Sequence, residues 1–158
     1  MANNLRVVIA AAGTGSRMKS NINKQYMLLK GKPVLYYSLH TFNSNDLVDE
    51  IVVVAHPDEV DYCQTNIVDK YQFSKVTKVI SGGKERQDSV IQGLKNLSND
   101  TDFVAVHDGA RPLLTSELIH KIFNEAKIHG AAIPGVPVTD TIKTMDENSF
   151  IVKTLDRS

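Results

Sequence analysis

Val7-Val8-Ile9-Ala10-Ala11-Ala12-Gly13-Thr14-Gly15-Ser16-Arg17-Met18 changes character in mid-course, and Lys24-Gln25 follow a few residues on. Its first half is apolar and rich in β-branched residues, as a buried strand requires. Its second half is small side chains, which let a backbone approach a bulky ligand. The change marks a strand feeding a ligand-holding turn. An arginine and a lysine just beyond a glycine turn suit a nucleotide phosphate, with backbone N–H groups aimed at its oxygens and side-chain cations balancing its charge. The same turn also serves as a plain connection from strand to helix.

Two familiar phosphate motifs fail on these residues. Gly13 and Gly15 match the first two glycines of a dinucleotide fingerprint, but Met18 stands at the third, where a bulky side chain opposes close helix–strand packing. A P-loop needs a hydroxyl after its lysine, and Gly31-Lys32 runs into Pro33 while Gly83-Lys84 runs into Glu85.

Outward from this stretch the chain alternates. Strands are expected at Val7–Ala12, Ile51–Ala55, Val76–Ile80 and Phe103–His107, with a shorter one near Ala131–Ile133. Between them lie helical stripes: Leu35, Leu39 and Phe42; Val90, Ile91, Leu94 and Leu97; and Leu118, Ile119, Ile122, Phe123 and Ala126, the last closed by Gly130. Ile51-Val52-Val53-Val54 is apolar on both faces, as expected of a parallel strand covered by helices on each side. The alternation predicts an α/β fold, a doubly wound sheet of parallel strands covered by helices, with ligands at the carboxyl ends of its strands.

From Val136 the pattern changes to alternating residues through Thr144, a turn at Asp146-Glu147-Asn148-Ser149, and a second strand over Phe150–Thr154. That is a hairpin signal. So short a ribbon is marginal unless packed on something: it either folds back on its own domain or, the favoured reading, extends as an arm toward a partner. The expected division is a core over residues 1–135 and an arm over 136–158, with the sheet unfinished at Ser158.

The 158 residues are enough for one domain with a substantial core, and 18 basic residues balance 18 acidic ones. With no net charge, no global field draws the chain to nucleic acid or an anionic membrane, so any anion must be held locally. No apolar run approaches the roughly 20 residues that cross a bilayer. The single cysteine, Cys63, forms no internal disulfide and the first residues carry no signal pattern, so a cytoplasmic location and a buried, inert thiol are expected.

Two further loops fall at carboxyl ends of strands. Ser81-Gly82-Gly83-Lys84-Glu85-Arg86-Gln87-Asp88-Ser89 either cradles a base or phosphate or is a strand-to-helix loop capped by Asp88 or Ser89. Val106-His107-Asp108-Gly109-Ala110-Arg111-Pro112 ends a strand on an aspartate well placed to hold magnesium, directly or through water, since Mg²⁺ takes oxygen ligands shared between carboxylates and phosphates. Arg111 either reaches a phosphate or pairs with Asp108. His107 points to the opposite face from Asp108 and is assigned to packing.

Taken together, Ala11–Met18 with Lys24-Gln25, Gly82–Val90, Val106–Pro112 and Asp140-Thr141-Ile142-Lys143 closely resemble, in order and from end to end, the 2-C-methyl-D-erythritol 4-phosphate cytidylyltransferase family. The resemblance implies a Rossmann-like α/β core of the nucleotidyltransferase type, a mostly parallel sheet flanked by helices, with CTP, Mg²⁺ and homodimers formed through a protruding β-hairpin arm. It implies transfer of CMP from CTP to methylerythritol phosphate with release of pyrophosphate. Position by position, it implies that Arg17 and Lys24 are catalytic and that Ala11, Ala12, Gly13, Thr14 and Gly15 wrap the triphosphate. Gly83 and Ser89 would contact the cytosine, and Asp108 with Gly109 would sit by ribose, phosphate and metal. Arg111, Thr141 and Arg157 would hold the acceptor, with Thr141 and Arg157 serving the neighbouring subunit if the arm crosses a dimer. Members of the family continue beyond the position of Ser158. The neighbouring readings are a ribitol-5-phosphate cytidylyltransferase, a sugar-1-phosphate nucleotidyltransferase using UTP or GTP, and a CTP-binding piece without activity.

Overall fold

The computed structural model describes residues 4–13 and 22–156, so Thr14, Gly15, Arg17 and Arg157 lie outside the described residues. In chain order the elements are β1 (Leu5–Ala11), a single 3₁₀ turn (Lys24–Tyr26), β2 (Leu28–Leu29), β3 (Lys32–Pro33), α1 (Val34–Asn43) and β4 (Val48–Ala55). A 3₁₀ turn (Pro57–Glu59), α2 (Val60–Cys63) and a π-helical segment (Gln64–Asp69) lead to β5 (Val76–Ser81), α3 (Arg86–Asn96), β6 (Phe103–Asp108), α4 (Ser116–His129), β7 (Lys143–Met145) and β8 (Ile151–Thr154). The chain forms two compact units, Met1–His120 and Lys121–Ser158, divided inside α4.

In the first unit a four-stranded sheet runs in the order β5-β4-β1-β6, and every neighbouring pair is parallel. The opening stretch is therefore the inner strand on which the sheet turns: β4 and β5 lie to one side of β1 and β6 to the other. Val7, Val8 and Ile9 are fully buried, as are Ile51 to Ala55 of β4, which accounts for their apolar run on both faces. Val8 faces Val52 on one side and Val106 on the other.

The helical stripes are buried as expected, with one revision. Leu35, Leu39 and Phe42 of α1 are buried, as are Ile119 and Phe123 of α4, and Gly130 closes α4 at φ 81° with its N–H on Ala126 O at 2.8 Å. On α3, however, Ile91 and Leu94 of the expected stripe are 39 and 42% exposed. Leu97 of that stripe is buried with Val8, Val52 and Val54, and within the helix the buried positions are Ser89 and Gly93. A Cβ on Gly93 would lie 2.3 Å from Val8 Cγ1, so α3 sits on β1 more closely than a helix with a branched contact residue can. Gly93 lets the helix approach, and Leu97 just past its end joins the core.

At the amino end of β1 a buried ion pair fixes the sheet. Arg6 Nε lies 3.0 Å from Glu50 Oε2, and the two side chains are 7 and 8% exposed. Glu50 also accepts from Thr77 Oγ1 at 2.8 Å and Ser98 N at 3.1 Å. Burial pushes the Glu50 carboxyl up, but these hydrogen bonds and the Arg6 charge outweigh it and hold the group below its ordinary value.

Two expectations for the second unit need correction. Residues 131–133 are not a strand, and Ile133 is 91% exposed. No described strand pairs with them, and Pro134 removes a ladder donor immediately afterwards. The hairpin forms, but its first strand is only Lys143–Met145, paired antiparallel with β8 in the register Lys143↔Thr154, Thr144↔Lys153 and Met145↔Ile151. Four residues of β8 cannot pair with the nine of the alternating run, and Pro137 lies within that run; one further bond, from Leu155 N to Ile142 O at 2.9 Å, ends the ladder. The turn is held by Asp146 Oδ1, which accepts from Asn148 N and Phe150 N, each at 2.9 Å.

Candidate active site

A cleft of about 1100 Å³ opens at the carboxyl ends of the sheet strands, where the strand order reverses beside β1. Eight of the expected residues line it: Ala11, Ala12, Gly13, Lys24, Gly83, Ser89, Asp108 and Arg111. Gly109 is buried directly behind it and turns its N–H onto Ala10 O at 2.8 Å, stitching the end of β6 to that of β1. Thr141 is exposed in the second unit, just before β7. A Cβ on Gly13 would meet no atom within 4 Å, so its lack of a side chain leaves room for something outside the protein.

Lys24 is brought to the cleft by the 3₁₀ turn it begins. Tyr26 N–H donates to Asn23 O at 2.9 Å and Met27 N–H to Lys24 O at 3.2 Å. The next residue, Gln25, is 3% exposed and points inward, giving its amide to Ala11 O at 2.8 Å and Gly13 O at 3.2 Å.

The glycine-pair loop is built around Ser89. Its hydroxyl donates to Glu85 O at 3.2 Å and accepts from Gly83 N at 3.1 Å, and a Cβ on Gly83 would fall 2.3 Å from Asp88 Cβ. The cap of α3 is Glu85, in a reciprocal capping box with Asp88, whose Oδ2 accepts from Glu85 N at 3.1 Å. The cap is therefore neither of the expected residues: Glu85 takes that place, Asp88 completes the capping box from the third helical position, and Ser89 ties the loop.

Asp108, 27% exposed, is held by two arginines. Arg86 places Nε at 2.9 Å and Nη2 at 2.8 Å from Oδ1, and Arg111 Nη2 lies 2.9 Å from Oδ2. The loop beyond it is pinned by Ser38 of α1, whose hydroxyl donates to Arg111 O at 3.0 Å. His107 turns the other way, edge-on to Phe42 with ring centroids 5.3 Å apart. Burial lowers its pKa, the neighbouring Asp108 charge opposes that shift and Arg111 adds to it. Cys63 is fully buried away from the cleft, and burial pushes its thiol up to about 11.

Arg86 and Gln25 were the residues left without a role by the sequence. Both stand inside quoted motifs, but Arg86 meets a carboxylate 22 positions away and Gln25 meets carbonyls 14 and 12 positions back. Side-chain signals of that separation are not periodic, so only the fold reveals them.

The family model for 2-C-methyl-D-erythritol 4-phosphate cytidylyltransferase (IspD) matches residues 5–158. The chain belongs to this family. It is 47% identical over 154 residues to the cytidylyltransferase of that name from Caldanaerobacter subterraneus, covering 98% of this chain and 68% of the relative. The Clostridium kluyveri relative is 50% identical over 150 residues, covering 95 and 64%. Among solved structures, 4-diphosphocytidyl-2C-methyl-D-erythritol synthase from Anaerococcus prevotii superposes with a TM-score of 0.86 at 29% identity, covering 99% of this chain and 65% of that one. The Francisella tularensis IspD superposes at 0.74 with 33% identity, covering 98 and 67%. This IspD-family chain thus spans about two thirds of the length of these relatives. The fold it shares with them is the nucleotidyltransferase type, and no helix among its described residues is long and apolar enough to cross a membrane.

Proposed function

We propose that this protein transfers CMP from CTP to 2-C-methyl-D-erythritol 4-phosphate, releasing pyrophosphate and forming 4-diphosphocytidyl-2-C-methyl-D-erythritol. The observation that carries the reading is the cleft at the switch point, lined by Ala11 to Gly13, Lys24, residues of the Gly83–Ser89 loop, Asp108 and Arg111, in a chain of this family. In the transfer an acceptor phosphate oxygen bonds to the α-phosphorus and the bond to the bridging oxygen of pyrophosphate breaks. The attacking group is already ionised, so positioning and charge neutralisation are the work required of the site.

Lys24 supplies positive charge at the cleft wall, and Arg17 is its proposed catalytic partner. Ala11 to Gly15 wrap the triphosphate. Gly83 and Ser89 face the base: with its donor on Glu85 O and one lone pair taken by Gly83 N–H, Ser89 keeps one acceptor position. That position suits the amino group of cytosine and offers nothing to the carbonyl of uracil. Arg111, Thr141 and Arg157 take the acceptor phosphate and hydroxyls.

Among the described residues no three carboxylate, histidine or cysteine side chains gather as a metal cage. The donor set at Asp108 fits a magnesium ion that takes its other ligands from the triphosphate and water, reached through a water while both carboxylate oxygens stay on arginine. Such an ion, when bound, screens phosphate charge. The β7–β8 hairpin, whose Met145, Phe150, Ile151 and Val152 are all more than 60% exposed, is the arm proposed to form a homodimer. A cytoplasmic location accords with its one buried, unpaired thiol.

Pyrophosphate release tests the reading, with CTP against UTP and GTP and with methylerythritol phosphate against ribitol 5-phosphate. It is run on this chain and on a form extended to the relatives' length. Release with CTP and methylerythritol phosphate above the other pairs is expected; silence from both forms refutes it.

A further inference from the structure

Gln25 is bonded to the end of β1. Its carboxamide nitrogen reaches two carbonyl oxygens there, Ala11 O at 2.8 Å and Gly13 O at 3.2 Å. Beneath it Glu59, on the 3₁₀ turn after β4, accepts from Gln25 Nε2 at 3.5 Å and from Asn23 Nδ2 at 2.6 Å. One carboxylate therefore grips both neighbours of Lys24, and the residue between them lines the cleft.

The chemistry requires glutamine. Two carbonyl oxygens and a carboxylate are met by a donor and repelled by an acceptor, so the isosteric glutamate cannot replace it. Carbonyl oxygens are also the backbone groups a triphosphate must not meet. Because the peptide is planar and trans, turning Ala11 C=O toward Gln25 turns the Ala12 N–H the opposite way. We propose that Gln25, backed by Glu59, is a positioning residue of the nucleotide site: it draws the Ala11 and Gly13 carbonyls to itself, turns the Ala12 N–H the opposite way, and fixes the base of Lys24. This rests on the reading of the cleft as a CTP site and adds to it a residue that acts through the backbone.

The test compares Gln25→Glu and Gln25→Met, which keep length while reversing or deleting the donor. CTP affinity by calorimetry, the KM for methylerythritol phosphate, thermal midpoints and backbone amide shifts are measured on wild type and variants. Expected are a CTP Kd raised at least tenfold in both, more in Gln25→Glu, an acceptor KM within twofold of wild type, and displaced amide shifts at Ala12 and Gly13. Folded variants that bind CTP as wild type does overturn the proposal. So does an equal loss of CTP and acceptor binding that follows the fall in thermal midpoint. If Gln25→Glu does not fold, Gln25→Met decides alone. Wild-type protein that binds no CTP refutes the cytidylyltransferase reading instead; the tie is then judged by the amide shifts, and shifts unchanged in Gln25→Met refute it.

Discussion

Replacing Arg6 by methionine removes the guanidinium from a nearly closed pocket and leaves Glu50 buried. Loss of one partner of a buried ion pair costs about 3–5 kcal/mol because the other charge stays out of water. Here Glu50 keeps Thr77 Oγ1 and Ser98 N, and Ser98 O keeps the Thr101 hydroxyl, so the lower end, about 3 kcal/mol, applies. The outer arm of the pair, Arg6 to Asp100, adds little because the Asp100 side chain is 71% exposed. For a chain of this size the loss corresponds to a fall in thermal midpoint of about 6–12 °C. The pH dependence supplies a second check. Glu50 is held below its ordinary value in the folded state, so its contribution is complete above the ordinary carboxylate pKa of about 4.3 and is lost as pH falls through the folded value. Urea unfolding at pH 7 and near pH 4 should therefore show a wide gap between wild type and Arg6→Met that narrows on acidification. Adding Glu50→Gln to the variant should recover most of the loss at pH 7, since a neutral amide has no charge to strand. Ala11 lies five residues along the strand, about 17 Å away, so CTP affinity should not change. A loss below about 1 kcal/mol at pH 7, or a gap that does not narrow, refutes the account.

Three more outcomes are expected. Gly93→Ala gains about 1 kcal/mol of helix propensity but drives a Cβ to 2.3 Å from Val8 Cγ1, and overpacking of about 1–3 kcal/mol should leave a lower urea midpoint; an unchanged midpoint shows that α3 moves away freely. Asp108→Asn breaks ion pairs to arginines 62 and 76% exposed, which are worth at most about 1 kcal/mol each, so the variant should stay folded while pyrophosphate release falls about 100-fold or more; a stable variant with near-normal release removes Asp108 from the site. Cys63, buried and with its thiol raised to about 11, should resist iodoacetamide at pH 8 until denaturant unfolds the chain; alkylation of the native protein at the rate of a free thiol contradicts that burial.

Much of this fold was legible because burial on both faces writes itself into a strand. Val7 to Ile9 and Ile51 to Val54 leave no polar register to choose between, and the sheet places them as its two inner strands. The stripes of α1 and α4 were legible from a period imposed by one buried face, whereas the hairpin, exposed along both strands, was legible from its alternation and its turn residues. What stayed hidden was contact made by absence. The Gly93 contact of α3 carries no apolar signal, so the eye falls on Ile91 and Leu94, which face outward. The residues of the site were visible as types at the ends of strands, since Lys24, Ser89 and Asp108 all line the cleft. Their partners were not. Ser89 tying Gly83 to Glu85, and Arg86 reaching Asp108, depend on where α3 begins relative to β6, a relation no local pattern contains.

The neutral overall charge then acquires a definite meaning. Described residues lining the cleft include Lys24, Lys84, Arg86 and Arg111 against Glu85 and Asp108, a local excess of two positive charges in a chain whose formal total is zero. Attraction for an anion is thus confined to one opening, with the rest of the surface compensating it. Within that opening Asp108 works against the attraction, since it spends two guanidinium contacts that a phosphate would otherwise receive. A group that lowers anion affinity is kept at such a site for order or for chemistry. The Asp108→Asn variant separates these from simple charge: it raises the local excess to three, so CTP should bind at least as tightly while turnover falls. Weaker CTP binding in that variant would instead assign Asp108 to holding the nucleotide itself.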